Sequence, residues 1–284
     1  MSQRAASPEE NMNPQVILVT GANKGIGYGI VRSLLTSAPS RSIIYLTSRD
    51  VSRGQKAVTE LSAIGGRSSN LVYHQLDITD EQSIDTLVNK IRNAHGRLDV
   101  LINNASIAGT DNELMVDVNY YGTLMVCKKF LPIIEKDHGR IVTMGSAIGH
   151  LAAFENEEIR NQLGNPELTV EQLSALMDKY KADCKDGKAS ENGWPMAYAV
   201  TKAGETALSG ILARKYPSLL INVCCPGWVN TEMGASMGGK PPKTIDEGAI
   251  IPVRLAVSDL GGVSGGFWEN PSVMDTGVGS VSVW

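Results

Sequence analysis

The sequence predicts an α/β fold, a single doubly wound parallel sheet with helices on both faces. Three observations carry that expectation. After Pro14, short runs of β-branched residues alternate with longer stretches whose apolar residues recur at helical spacing. Such alternation builds parallel sheets, because parallel neighbours need a crossover long enough to hold a helix. The first run, Val16-Ile17-Leu18-Val19, leads directly into a glycine-rich turn, Thr20 to Gly27. Finally, 284 residues with 42% hydrophobic and 20% charged side chains can bury a sizeable core without disulfide or metal staples.

Residues 1–13, MSQRAASPEENMN, lack an apolar h-region and read as a floppy tail rather than a signal peptide. Residues 14–284 are expected to form one domain. The helix after the first strand places Ile26, Ile30, Val31, Leu34 and Leu35 on one face. The second strand, Ile43-Ile44-Tyr45-Leu46, precedes a helical stretch with Val58 and Leu61. A third strand runs from Leu71 to Leu76. Its helix opens at Thr79-Asp80-Glu81-Gln82, which has the form of a capping box beginning at Thr79. Ile84, Leu87, Val88 and Ile91 continue that helix, and Gly96 stops it. Val100-Leu101-Ile102 and Ile141-Val142-Thr143-Met144 are the fourth and fifth strands, with a helix between.

The regularity breaks after Ser146. Residues 147–195 are polar and irregular apart from a second capping box, Thr169 to Gln172, followed by Val170, Leu173, Leu176, Met177 and Tyr180 on one helical stripe. This stretch is expected as a helical insertion. The alternation then resumes with a helix to Tyr216, a strand Leu219 to Cys225, a helix near Thr244 to Ser258 and a short strand near Gly266 to Glu269.

Composition excludes several classes. The longest unbroken hydrophobic run is five residues, Met196 to Val200, far short of the roughly 20 that a membrane-spanning helix needs. The balance of 26 basic and 30 acidic residues, net −4, leaves no basic stripe of the kind nucleic acid requires. Four cysteines, Cys127, Cys184, Cys224 and Cys225, have no zinc-like spacing with histidine, so no metal site is expected. Reduced thiols in a cytoplasmic protein are the simplest reading.

The glycine-rich turn after the first strand lets backbone N–H groups approach a phosphate, and the following helix N-terminus favours its charge. A glycine-rich connection without ligand is the plainer alternative. Tyr198 and Lys202 stand four apart on a predicted helix and share a face. An ammonium beside a phenol lowers a pKa that is otherwise about 10, which suits proton exchange with a carbonyl oxygen. Alone, such a pair is usually just two surface neighbours.

As a set these features resemble the short-chain dehydrogenases/reductases. The turn reads TGxxxGxG; Asn103-Asn104-Ala105 follows the fourth strand; Asn119 lies in the next helix; Ser146 ends the fifth strand; Tyr198 to Lys202 fits YxxxK; Pro226-Gly227 closes the sixth strand, with Thr231 beyond. Within the family the sequence is most similar to monomeric carbonyl reductases, through Gly21 to Gly27, the insertion at 147–195, Gly193-Trp194-Pro195 and Cys224 to Val229. The resemblance implies a Rossmann-type sheet and an NADPH-dependent reductase of ketones, aldehydes or quinones. Ser146, Tyr198, Lys202 and Asn119 would be catalytic, with Tyr198 the proton donor, Ser146 a hydrogen-bond donor to the substrate oxygen, and Asn119 the holder of a relay water. Locally, Ser146 could equally satisfy a loop, and Asn119 its own neighbours.

The resemblance also implies where NADP(H) binds. Gly21, Asn23, Lys24, Gly25, Ile26 and Gly27 would form the phosphate turn. The second strand runs into Ser48, where NAD-specific relatives have an acidic residue, and Arg49, the NADP-type basic one. Arg49, Arg53 and Lys24 would clamp a 2′-phosphate, although Asp50 also suits a helix cap and Arg53 a solvated first turn. Asp77 would lie near the adenine. Asn103 and Ala105 would line the cleft, with Tyr198 and Lys202. Pro226, Gly227, Val229 and Thr231 would lie at the nicotinamide end, and Trp228 would face the substrate with Ser146 and Tyr198. Cys225 resembles a thiol near the substrate or glutathione site, but small buried cysteine is the commoner role.

One departure stands out. Asn119 stands only 14 positions after Ala105, where the family has roughly ten more residues, and Ser106 replaces the family glycine. That shortening would widen the pocket or misplace Asn119. It is the one feature that favours a catalytically weak NADP(H)-binding protein with a regulatory or scaffolding role. Many relatives pair through helices near 111–136 and 195–215. If the amphipathic insertion helix docks there, the chain is a monomer; if it closes over the substrate mouth, the pairing face stays free.

Overall fold

The computed structural model describes residues 14–63 and 70–284; the expected tail at 1–13 lies outside the described residues. Eight strands form one sheet in the order β3-β2-β1-β4-β5-β6-β7-β8. They are β1 Val16–Val19, β2 Ile43–Ser48, β3 Asn70–Gln75, β4 Val100–Asn103, β5 Arg140–Met144, β6 Leu220–Cys224, β7 Phe267–Glu269 and β8 Ser280–Ser282. The first seven run parallel, and β8 pairs antiparallel to β7. From β1 the chain builds outward through β2 and β3, then returns to start again at β4 on the other side. The reversal opens a crevice beyond the carboxyl ends of β1 and β4, the usual ligand position in such sheets. All four residues of β1 and all four of β4 are buried. Burial on both faces is why these strands read as unbroken apolar runs rather than alternating ones.

Helices cover both faces. The helices are α1 Gly25–Ser37, α2 Val51–Ala63, α3 Glu81–His95, α4 Asn112–Met115, α5 Thr123–Phe130, α6 Glu157–Leu163, α7 Val170–Lys185, α8 Ala197–Lys215, α9 Glu232–Ser236 and α10 Ile245–Val257. One core, under α1, α2 and α10, takes Ile17, Val19, Ile44, Val100 and Ile102 from the sheet. The opposite core, under α3, α5, α7 and α8, takes Val16, Leu18, Tyr45, Leu101 and Ile141. Neighbouring strand residues thus serve opposite layers, as the two-residue period requires.

Most expected elements are present within two residues. Three differ. The cap of α3 is Asp80, whose carboxylate accepts from the N–H groups of Gln82 and Ser83, while Thr79 turns back to donate to Asp77. No capping box forms there, because the shorter aspartate reaches the first-turn donors directly. The antiparallel edge strand β8 was not expected. The helix between β4 and β5 is interrupted by a π-helical turn, Val116–Gly122.

Residues 147–195 carry α6 and α7, and the capping box Thr169–Gln172 forms as expected. Leu173, Leu176, Met177 and Tyr180 are buried. They face α8 and the π-helical turn: Met177 Sδ lies 3.1 Å from where a Cβ on Gly204 would stand, and Tyr120 Oη bonds Ser174 Oγ at 2.9 Å. The insertion helix therefore docks on the helix layer. Packed between sheet and insertion, α8 is buried on nearly every side, polar residues included.

Candidate active site

The site assembles at the carboxyl end of the sheet. Gly21 and Gly25 in the first turn have φ near +61° and +58°, a region that favours glycine. A Cβ on Gly21 would fall 2.8 Å from Ala105 Cα, and one on Gly27 would fall 2.4 Å from Asn104 Nδ2. The turn thus lies flat against the residues after β4. Asn104 Nδ2 donates to the carbonyls of Thr20 and Gly21 at 2.9 and 3.0 Å. Thr20 Oγ1 accepts from the N–H groups of Asn104 and Ala105. Asn103, by contrast, is buried and turned onto Cys127 Sγ at 3.3 Å. Asn104 is therefore the residue of the Asn-Asn-Ala segment that shapes the turn.

No side chain caps α1, whose first residue follows Lys24. Its N-terminal N–H groups point from the turn with the positive end of the helix behind them, a donor set suited to a pyrophosphate. Lys24 pairs with Glu232 of α9. Arg53 lies 3.6 Å from Asp50, whose Oδ1 also accepts from the Arg53 N–H as a helix cap. Arg49 is exposed at the end of β2 beside buried Ser48 and has no ion pair among the described residues. Asp77 is held by two bonds from Thr79 at 2.7 and 2.9 Å.

On the far side of the crevice, Thr231 caps α9 through Gly234 N–H, and its Cγ2 lies 3.4 Å from a Cβ built on Gly25. The segment after Pro226-Gly227 therefore reaches the glycine turn. Val229 is buried, and Trp228 Nε1 donates to the Gly234 carbonyl at 2.9 Å, which ties the indole to α9. Cys225 is buried and its Sγ accepts from the N–H groups of Ala147 and Gly227.

Tyr198 and Lys202 lie on α8. Lys202 Nζ is 5.5 Å from the centre of the Tyr198 ring. It donates to the Met144 carbonyl at the end of β5 at 2.8 Å, which fixes the lysine against the sheet. The lysine pulls the phenol's pKa down, but burial pushes it up more strongly, so Tyr198 sits above its ordinary value of 10.0. That reverses the direction expected from the pairing alone, because a residue only 9% exposed has lost most of the water that would stabilise a phenolate. Tyr198 Oη points toward Met233 Sδ of α9 at 3.7 Å.

Ser146 follows β5 and its Oγ accepts from Ile148 N–H at 3.4 Å. The turn it begins is pressed onto α8: a Cβ on Gly149 would fall 2.8 Å from Lys202 Cβ. Asn119 sits in the π-helical turn and is fully buried. Its side chain accepts from Ile107 N–H at 2.8 Å and donates to the Ile107 carbonyl at 2.9 Å and to Thr201 Oγ1 at 3.1 Å. Thr201 in turn donates to the Tyr198 carbonyl at 2.9 Å. The short segment after Ala105 is thus pinned to α8 by Asn119. Ser106 Oγ in that segment is buried without a hydrogen-bond partner among the described residues.

Sequence reasoning missed Asn104, Thr201, Met233 and Glu205. Glu205 is buried with its Oε2 2.8 Å from Lys202 Nζ. An acidic residue three places after Lys202 was the available signal.

Residues 15–157 match the short chain dehydrogenase family. The chain is 43% identical to carbonyl reductase [NADPH] 1 of Sus scrofa, over 94% of this chain and 96% of that protein. It is 38% identical to short-chain dehydrogenase/reductase 1 of Saponaria officinalis, over 90% and 94%. Among solved structures, salutaridine reductase from Papaver somniferum superposes with a TM-score of 0.81 at 31% identity, covering 89% of this chain and 99% of that one. With its glycine turn, its switch-point crevice and the tyrosine and lysine of α8 at one end of a parallel sheet, the chain belongs to the short-chain dehydrogenase family.

Proposed function

We propose that the protein is an NADPH-dependent carbonyl reductase acting on small ketones, aldehydes or quinones. The observation that carries this reading is the placement of Tyr198 and Lys202 together at the carboxyl end of the sheet, with Lys202 anchored on Met144. The relatives named carbonyl reductase [NADPH] 1 support both the cofactor and the reaction.

The cofactor fits the residues present. Gly21, Asn23, Lys24, Gly25, Ile26 and Gly27 with the uncapped start of α1 would hold the pyrophosphate. Arg49 would meet the 2′-phosphate, with Arg53 and Lys24, now paired with Asp50 and Glu232, as the further cations nearby. Asp77 and Ala105 would border the adenine and the cleft; the Asn103 side chain, expected there too, is turned away onto Cys127. Pro226, Gly227, Val229 and Thr231 would border the nicotinamide. When bound, NADPH supplies a hydride to the carbonyl carbon. Ser146 donates a hydrogen bond to the carbonyl oxygen, where charge develops. Tyr198 gives that oxygen its proton, which balances the hydride and yields the alcohol. Lys202 holds positive charge beside the resulting phenolate. Asn119 keeps Ile107 and Thr201 in register, while Trp228 and Met233 face the substrate.

We read residues 14–284 as one domain and the chain as a monomer, because α7 covers the face of α8 through which relatives pair. No described helix is long and apolar enough to cross a membrane. Four free cysteines suit a reducing, cytoplasmic setting. The test is NADPH consumption with a panel of carbonyl compounds, in wild type and in Tyr198→Phe. Turnover should fall by about 10²–10⁴-fold, the range for a lost acid, with NADPH binding kept. Tight NADPH binding without turnover on any compound would instead indicate a binding protein with a regulatory or scaffolding role.

A further inference from the structure

α8 carries a buried carboxylate that the reaction does not require. Glu205 is 1% exposed, one turn beyond Lys202, and its Oε2 stands 2.8 Å from Lys202 Nζ. Thr123 of α5, also buried, stands beside the same carboxylate. Oε2 makes no well-aligned hydrogen bond, so charge rather than direction holds the contact. A lone buried carboxylate is costly, and next to an ammonium it is kept only as a pair. The pair changes what Tyr198 experiences. An ammonium alone favours phenolate, whereas an ammonium with a carboxylate behind it is nearly neutral at a distance.

The other groups facing the pair are Tyr198 itself, Tyr120 of the π-helical turn, and the thiols of Cys127 on α5, Cys224 on β6 and Cys225 after it. Burial keeps these thiols protonated at neutral pH and pushes Cys127 and Tyr120 up to about 12. Burial pushes the Glu205 carboxyl above its ordinary value of 4.5 and the adjoining Lys202 ammonium pulls it back down; held in that ion pair, it is the one negative charge among the described groups facing Lys202 and Tyr198. Its field opposes Lys202 at the phenol.

We propose that Glu205 is a positioning residue of the reaction, whose carboxylate anchors the Lys202 ammonium and offsets its charge, so that Tyr198 stays a proton donor into alkaline solution. The proposal rests on Tyr198 and Lys202 as the proton-transfer pair. It makes carbonyl reduction, which needs the phenol, the direction sustained at high pH, and it delays alcohol oxidation, which needs the phenolate.

Glu205→Gln separates charge from packing, because the amide oxygen can still accept from Lys202. The pH profile of kcat/KM is measured in both directions for wild type, Glu205→Gln and Glu205→Asp. The alkaline limb of reduction and the acid limb of oxidation should both move down by about one pH unit in Glu205→Gln, and stay within a few tenths of a unit in Glu205→Asp. NADPH affinity, followed by fluorescence, should change less than threefold in both variants, since Lys202 keeps Met144. Unmoved limbs in Glu205→Gln, or equal movement in both variants, would overturn the proposal. If Glu205→Gln does not bind NADPH, Glu205→Met takes its place. Failure of both to bind, with Glu205→Asp active and unshifted, would mean that the carboxylate serves the fold alone and would also overturn it. Turnover by Tyr198→Phe near the wild-type rate would sink the underlying assignment instead, whatever the Glu205 variants do.

Discussion

Asn119→Ala should loosen the wall of the crevice and slow turnover together. The carboxamide makes three bonds inside the protein, two to the backbone of Ile107 and one to Thr201. Truncation leaves those three partners without it. Ile107 is half-buried, so water can reach its groups in part, and each loss belongs near the low end of the range for unsatisfied groups. At about 1 kcal/mol each the total is about 3 kcal/mol. For a chain of this size that lowers Tm by roughly 6 °C. Urea unfolding followed by circular dichroism measures it directly. The same change frees the segment after Ala105 and the Thr201 contact beneath Tyr198, so kcat should fall by about tenfold to a hundredfold. NADPH affinity should change less than threefold, because Asn104 rather than Asn119 shapes the glycine turn. Asn119→Asp keeps the acceptor for Ile107 N–H and should lie between the two. Stability within about 0.5 kcal/mol of wild type in Asn119→Ala, the scatter of ordinary surface changes, would refute this account of how the short segment is held.

Arg49→Ala should weaken NADPH by about tenfold to a hundredfold, the worth of one charge-assisted bond, and leave NADH nearly unchanged in parallel binding titrations; equal losses would assign Arg49 to the fold. Light scattering at micromolar concentration should give a mass near 30.4 kDa, and a stable dimer would overturn the reading that α7 covers the pairing face. Leu173→Ala, at a fully buried α7 position, should cost about 2–5 kcal/mol in urea unfolding, whereas a loss under about 0.5 kcal/mol would mean that α7 is not part of the core. Burial holds His74 and His95 below their ordinary pKa of 6.5. Each is thus more easily protonated unfolded than folded, so its contribution is fully present above pH 6.5 and is lost as pH falls through the folded value. Stability should decline from about pH 6.5 downward, before the carboxylates titrate, and His74→Gln with His95→Gln should flatten that decline.

What could be read in the sequence followed burial. β1, β4 and β5 are covered on both faces and so read as apolar runs, and the stripe of α7 announced a helix because it is buried on one side only. β8 has no such signal: Ser280 to Ser282 are short, mostly polar and largely exposed. The π-helical turn is a change in backbone register that leaves no mark in side-chain spacing. At α3 two acceptors, Thr79 and Asp80, competed for one cap, and spacing cannot weigh them. In the site, the residue types and their order were legible, but partners were not. That Asn104 and not Asn103 braces the turn depends on which way each side chain leaves the strand end. The elevated pKa of Tyr198 depends on its burial, with Met233 of α9 against its hydroxyl, which no pair spacing encodes.

The contrast between α8 and α9 bears on how such a protein can change over generations. α8 is wedged between the sheet and the insertion, and even its threonines and its glutamate are shut away from water. Nearly any substitution there disturbs packing on two sides at once. α9 is five residues long, mostly exposed, and touches the reacting tyrosine through the flexible side chain of Met233. Substitutions at Met233 can alter what enters the crevice and reach the tyrosine only at its hydroxyl, while Lys202, Glu205 and the Met144 anchor stay untouched. Selection for new substrates therefore has a place to act that is cheap to vary, and selection against change concentrates on the helix behind it. Related chains that accept different carbonyl compounds should differ more along 231–239 than along 197–215.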